Sequence, residues 1–213
     1  MTRFIFVRHG QSTANKAHIF AGHFDAELTE LGHKQAELVA EYIYNNYKVD
    51  AVYASDLSRA FSTGKHIADK LGIGITADRR LREIYAGKWD GNKFDDNRAN
   101  YPDDFYVWDT DIGNCTCTDG ESVRELGARI FEAISDIASK NEGKTVVIAT
   151  HATPIRCMQV IAGGGDYNNM VKIPWTSNSS VSVVNYENGA VSFEIIGYDG
   201  HLGAISTKPE LSK

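Results

Sequence analysis

The chain has 213 residues, 42% of them hydrophobic, with 22 Lys plus Arg against 28 Asp plus Glu and a formal net charge of -6. These values fit a chain that buries a substantial core; they exclude a largely disordered or collagen-like protein and leave no global basic field for nucleic acid or an anionic membrane. Any anion site must therefore be local.

The first apolar run, Phe4-Ile5-Phe6-Val7, is too short for a signal peptide or a membrane span and reads as a strand buried on both faces of a mostly parallel sheet. Ala36, Val39, Ala40 and Ile43 then recur at helical spacing. Ala51-Val52-Tyr53-Ala54 predicts another strand, followed by a helix from about Leu57 to Leu71. From Lys88 to Asp119 no period is clear. This segment carries three basic residues, eight aspartates and six aromatics, and its length makes it a candidate lid, inserted at about 88–119.

Ser122-Val123-Arg124-Glu125 is a capping-box pattern opening a helix whose apolar face is Leu126, Ile130, Ala133, Ile134 and Ile137. Thr145-Val146-Val147-Ile148-Ala149-Thr150 is a second buried strand. Near the end, Asn188-Gly189 separates two β-rich runs, Val181–Tyr186 and Val191–Ile195, and predicts an antiparallel hairpin. Alternating strands and helices give an α/β fold, a mostly parallel sheet flanked by helices on both faces, with that hairpin added. With no linker or repeat in view, one domain over residues 1–213 is expected. Three cysteines cannot form a fully paired disulfide framework, and a cytoplasmic, reducing setting is expected.

Two of the apolar strands run directly into histidine, in Val7-Arg8-His9-Gly10 and Ala149-Thr150-His151-Ala152. Ligands of open α/β sheets bind beyond the carboxyl ends of the strands, so both imidazoles are delivered to one rim. Arg8 adjoins His9, and Arg59 falls in the first turn of the helix after the Ala51–Ala54 strand. Two guanidiniums beside two imidazoles suit the forked, charge-assisted grip on a phosphoryl group. Taken singly, Arg59 reads as a solvated helix residue and Arg8 as a salt-bridge partner. Histidine can serve as a covalent nucleophile, and neighbouring arginines favour its neutral form. There is no Walker motif, G-x-S-x-G or H-E-x-x-H, so no metal ligand set and no cofactor is expected. His18, His23, His33, His66 and His201 are scattered along the chain, and surface placement is the default for most of them.

Arg8-His9-Gly10-Gln11-Ser12-Thr13-Ala14-Asn15 resembles the signature of the histidine phosphatase superfamily, in its phosphoglycerate-mutase-like branch. Further matches follow in family order: Leu28–Gly32 with Gln35-Ala36, Ser55–Ala60, Leu81–Ile84 with Gly87–Gly91, Gly120-Glu121-Ser122, and His151 with Ile155-Arg156. The resemblance implies that His9 is phosphorylated while Arg8, Arg59 and His151 hold the phosphoryl group, and that Glu83 is the general acid and then the base. Without that context, Glu83 reads as a surface ion pair with Arg80 or Arg82. Asn15 matches a family residue near the phosphate, and Gln11 sits where the branch varies; capping of the following helix is the alternative for both. Gly22 and Asp25 match a substrate-side loop, although Ala21 and His23 depart from the usual pattern there, and Ala152 stands where Gly is common.

The expected activity is metal-independent hydrolysis of a small phosphorylated metabolite. The alternatives are a phosphoglycerate mutase of the same chemistry and a non-catalytic phosphate-binding protein. The acidic lid argues against retaining a bisphosphate, and its aromatics suit an apolar organic part or simply pack the lid down.

Overall fold

The computed structural model describes residues 1–208. Part of the expected 1–213 unit, residues 209–213, lies outside the described residues. The six strands are β1 (Thr2–Arg8), β2 (Ala51–Ala54), β3 (Ile75–Ala77), β4 (Thr145–Thr150), β5 (Val181–Glu187) and β6 (Ala190–Tyr198). They form one sheet in the order β3-β2-β4-β1-β5-β6. The first four run parallel, whereas β5 is antiparallel to β1 and β6 antiparallel to β5. The hairpin turns at Asn188 and Gly189, whose φ values are 49° and 83°, as the Asn-Gly pair predicts.

Alternation along β1 divides the core. Phe4 and Phe6 face one side with Val146 and Ile148 of β4, while Ile5 and Val7 face the other with Val147. The Ile5 face is covered by α2 (Glu30–Asn46) and α3 (Ser58–Leu71) through Val39, Ile43 and Ile67. The Phe4 face is covered by α6 (Val123–Lys140) and α7 (Ala152–Ala162) through Leu126, Ile130, Ile134 and Ile155. Ser122 and Glu125 form the capping box at the start of α6. Neither β3 nor α7 was signalled by a clear period: β3 has only three residues, and α7 is buried on nearly all sides, which erases the amphipathic stripe.

The 88–119 segment is partly helical, with α4 (Phe94–Asn100) and α5 (Pro102–Thr110). Trp89 and Phe105 are fully buried and meet Phe20 at ring-centroid distances of 5.6 and 6.2 Å. For these two aromatics, packing is the role observed. Among the described residues, no helix is long and apolar enough to cross a membrane.

Candidate active site

Strand register places the two histidines side by side. Arg8 of β1 is paired with Thr150 of β4, and the His9 N–H donates to the Thr150 carbonyl at 3.0 Å. His9 and His151 are therefore the next residues on neighbouring strands, and their rings meet edge-on with centroids 5.2 Å apart. On the other side of β4, Ala54 of β2 is level with Ala149, and the Ser55 N–H donates to the Ala149 carbonyl at 3.0 Å. That brings the Ser55 hydroxyl to 2.9 Å from Nε2 of His151.

The His9 tautomer follows from its partner. Nδ1 lies 2.7 Å from the Gly10 carbonyl oxygen, which can only accept, so Nδ1 carries the proton and Nε2 keeps its lone pair. Burial, then the charges of Arg59 and Arg8, hold the His9 pKa well below its ordinary value. The ring is a neutral imidazole at physiological pH. His151 is likewise held well below its ordinary pKa, first by burial and then by Arg59. Its Nδ1 is buried and has no partner among the described residues. When Ser55 donates its O–H to Nε2, the ring proton sits on that Nδ1 and makes it a buried donor beside His9.

Arg8 and Arg59 flank this pair, and burial lowers each to about 10, so both remain cationic at neutral pH. Arg8 donates to the Thr176 carbonyl at 2.5 Å. Arg59 is aimed by three carbonyls: Nη1 donates to Phe24 at 3.0 Å, and Nη2 to Ala21 and Gly22 at 2.8 and 2.9 Å. The loop presenting those carbonyls is wound round one carboxylate. Asp90 accepts the backbone N–H groups of Gly22, His23 and Phe24 at 2.7, 2.9 and 3.0 Å. Gly22 sits behind Arg59 in this arrangement, where a Cβ would collide with the Ile84 carbonyl. The structure thus gives Gly22 a backbone role in seating Arg59.

Glu83 lines the cleft. The ion pair with Arg80 or Arg82 is not formed: Arg80 is engaged by Asp78 and Asp136, and Arg82 by Asp56. Glu83 instead accepts N–H bonds from Ile84 at 2.9 Å and Thr153 at 3.3 Å. Burial outweighs these bonds and raises its pKa above the usual carboxylate value. Its backbone is anchored from behind by Arg129, which donates to the Glu83 carbonyl at 3.2 Å while pairing with Glu121 at 2.8 Å.

Asn15 also lines the cleft, and its side chain completes a capping box with Ser12 at α1 (Thr13–Lys16), so the capping alternative is realised together with a position at the site. Gln11 lines the cleft too. A polar loop not singled out from the sequence, residues 176–180, closes the floor. Asn178 donates to the His9 carbonyl at 3.0 Å and to Asn15 Oδ1 at 3.2 Å, and the Ser179 N–H donates to the Arg8 carbonyl at 3.0 Å. The run Thr-Ser-Asn-Ser-Ser before an apolar strand was the available signal, and it reads only as a turn.

The cleft has a volume of about 1590 Å³. Its outer wall carries Phe94, Trp108 and Trp175 together with Lys93 and Lys172. Of the eight aspartates between 88 and 119, Asp95 and Asp109 line the cleft, and both pair with Arg98. Asp90, Asp104, Asp111 and Asp119 engage the loop of residues 22–24, Thr118, Asn114 and Lys88. The electrostatic opposition to a second anionic group is weaker at the cleft than the composition of the segment suggests.

Because Asp90 holds the loop whose carbonyls aim Arg59, Asp90→Ala is expected to lower kcat/KM by about 10²-fold, the scale of misplacing a positioned group. Circular dichroism should stay unchanged, and phosphate affinity should fall in parallel with kcat/KM. Unaltered phosphate affinity would separate Asp90 from Arg59.

Residues 4–198 match the model of the histidine phosphatase superfamily (branch 1). The chain is 28% identical over 206 residues to "Phosphoserine phosphatase 1" of Hydrogenobacter thermophilus, covering 95% of each. It is 35% identical over 159 residues to "Phosphoglycerate mutase-like protein 4" of Arabidopsis thaliana, covering 72% of this chain and 68% of the relative. Among solved structures, Bacillus stearothermophilus YhfR superposes with a TM-score of 0.90 at 26% identity, covering 95% of this chain and 100% of that one.

Proposed function

We propose that this chain, which belongs to the histidine phosphatase superfamily, is a phosphatase of small phosphorylated metabolites that works through a phosphohistidine on His9 without a metal ion. The observation that carries the proposal is one cleft lined by His9, whose Nε2 is freed by the Nδ1–Gly10 bond, together with Arg8, Arg59 and the buried carboxyl of Glu83. The first relative's name supports hydrolysis.

Nε2 of His9 attacks phosphorus in line, forming the N–P bond as the P–O bond to the leaving group breaks. Protonated Glu83 gives its proton to that leaving oxygen. Arg8, Arg59 and the Nδ1–H of His151 take the charge spread over the three equatorial oxygens. In the second step, the Glu83 carboxylate removes a proton from water, the water oxygen attacks phosphorus, and the N–P bond breaks to release phosphate and restore His9. Charge stabilisation comes from guanidiniums and an imidazole, so the scheme calls for no divalent ion. The 88–119 segment, with Phe94 and Trp108 on the cleft wall, serves in this reading as the lid over the organic part of the substrate. Three buried free thiols, Cys115, Cys117 and Cys157, fit a reducing, cytoplasmic setting.

The mutase reading draws on Lys93 and Lys172, two cations that line the cleft and suit a second anionic group. A single experiment addresses both readings: a panel of phosphorylated metabolites assayed with excess EDTA, beside 3-phosphoglycerate primed with 2,3-bisphosphoglycerate. Hydrolysis should survive EDTA, be inhibited by vanadate and exceed isomerisation. Loss of activity with EDTA that returns with magnesium rejects the metal-free scheme, and isomerisation faster than the best hydrolysis favours the mutase.

A further inference from the structure

Away from the cleft, the structure brings together two histidines that the sequence leaves 33 residues apart. His33 stands in the first turns of α2 and His66 in the second half of α3, the two helices packed on the Ile5 face of the sheet. Nδ1 of His33 lies 3.1 Å from Nε2 of His66, with ring centroids 5.4 Å apart. Both rings open on a separate hollow of about 240 Å³, whose wall also carries Asp69 and Lys65. Asp69 holds the Lys65 ammonium with both oxygens at 2.8 Å, which offsets that cation beside the imidazoles.

We infer that His33 and His66 form a two-imidazole chelate, on the α2–α3 face, for a divalent transition ion of the zinc class. Two nitrogens each about 2.0–2.1 Å from one zinc ion lie about 3.0–3.4 Å apart when the angle between them is roughly 95–110°. The observed 3.1 Å falls inside that interval. Imidazole suits zinc, nickel and copper, whereas magnesium and calcium demand oxygen ligands. Among the described residues no group of three His, Cys, Asp or Glu side chains is placed to hold an ion, so water would have to supply the remaining ligands. The site is a staple between helices with an affinity set by two protein ligands.

The staple has a mechanical consequence. Gly32, directly before His33, packs so tightly on the His9 loop that a Cβ at Gly10 would collide with its carbonyl. On α3, Thr63 accepts the Gly10 N–H at 3.0 Å. The ion would thus tie together the two helices on which the residue after His9 rests. This inference does not depend on the chemistry proposed for the cleft.

The test uses the full chain at pH 7.5, with zinc chloride as the probe. Titration calorimetry is compared for wild type, His33→Ala, His66→Ala and His33→Gln, all changes at positions outside the catalytic machinery. Wild type should bind one zinc more than any variant, and removing one arm of the chelate should weaken that site by about 10²-fold. At 100-fold excess over Kd, zinc should raise the wild-type Tm by about 5–10 °C and the variants' Tm much less. Magnesium should do neither. Equal zinc binding by wild type and variants assigns the metal to other histidines and overturns the inference. A wild type that binds no zinc at millimolar concentration leaves the pair a simple hydrogen bond and overturns it as well.

Discussion

His9→Ala is expected to lower turnover on the order of 10⁶-fold, the scale seen when a covalent enzyme loses its nucleophile. The atom lost is Nε2, the one ring nitrogen of His9 left unprotonated by the Gly10 bond, and the corresponding nitrogen of His151 is engaged by Ser55. Arg8, Arg59 and His151 remain in the variant, so inorganic phosphate or vanadate should still bind. That binding distinguishes loss of the nucleophile from loss of the fold. In wild type, label from a ³²P-monoester quenched during turnover should be acid-labile and base-stable and map to His9. Label on serine or cysteine, or residual activity in His9→Ala near wild type, would refute the phosphohistidine step. Burial also raises the thiols of Cys115, Cys117 and Cys157, with Cys115 pushed up to about 12, which keeps them protonated and poor competitors.

What was legible in the sequence was whatever two neighbouring strands deliver by themselves. Phe4–Val7 and Thr145–Thr150 are apolar on both faces, so their burial, their parallel pairing and the convergence of His9 with His151 follow from the pattern. Arg59 was legible as the first turn of the helix after β2. Glu83 was not: it lies just beyond a short 3₁₀ turn, Arg79–Leu81, and its isolation from Arg80 and Arg82 depends on Asp78, Asp136 and Asp56 claiming those cations. Only the family resemblance pointed to it. The roles of Asp90, Asn178 and Arg129 escaped because each bonds backbone groups of distant segments, and Asp90, although inside the matched Gly87–Gly91 motif, shows nothing in the sequence of the three N–H bonds it collects. The lid charge misled for a related reason. Counting eight aspartates ignores direction: Asp90, Asp104, Asp111 and Asp119 meet partners of their own, and the two that line the cleft pair with Arg98.

Glu83→Gln is expected to lower kcat by about 10²–10⁴-fold, the usual contribution of a positioned acid-base group. Glutamine preserves the shape and can accept one of the two N–H bonds, which in the wild type go to different carboxylate oxygens, but it has no carboxyl proton to give and cannot take one from water. The loss should depend on the leaving group. An alkoxide needs its proton in the transition state, so an alkyl phosphate should suffer the full effect, whereas a nitrophenolate leaves readily and should suffer less. The pH profile supplies a second, independent reading. Burial raises the Glu83 pKa, so the fraction protonated, and with it the phosphorylation rate, falls as pH climbs through that raised value. On the acid side, His9 stays neutral until the pH drops through its own lowered pKa, so nucleophile protonation enters only well below the ordinary histidine range. Wild-type kcat/KM should therefore decline on the alkaline side of the Glu83 pKa, and the Glu83→Gln variant should lose that limb while keeping any limb due to substrate ionisation. Equal slowing of alkyl and aryl substrates, together with an unchanged alkaline limb, would assign proton transfer to another group and leave Glu83 with an electrostatic role alone.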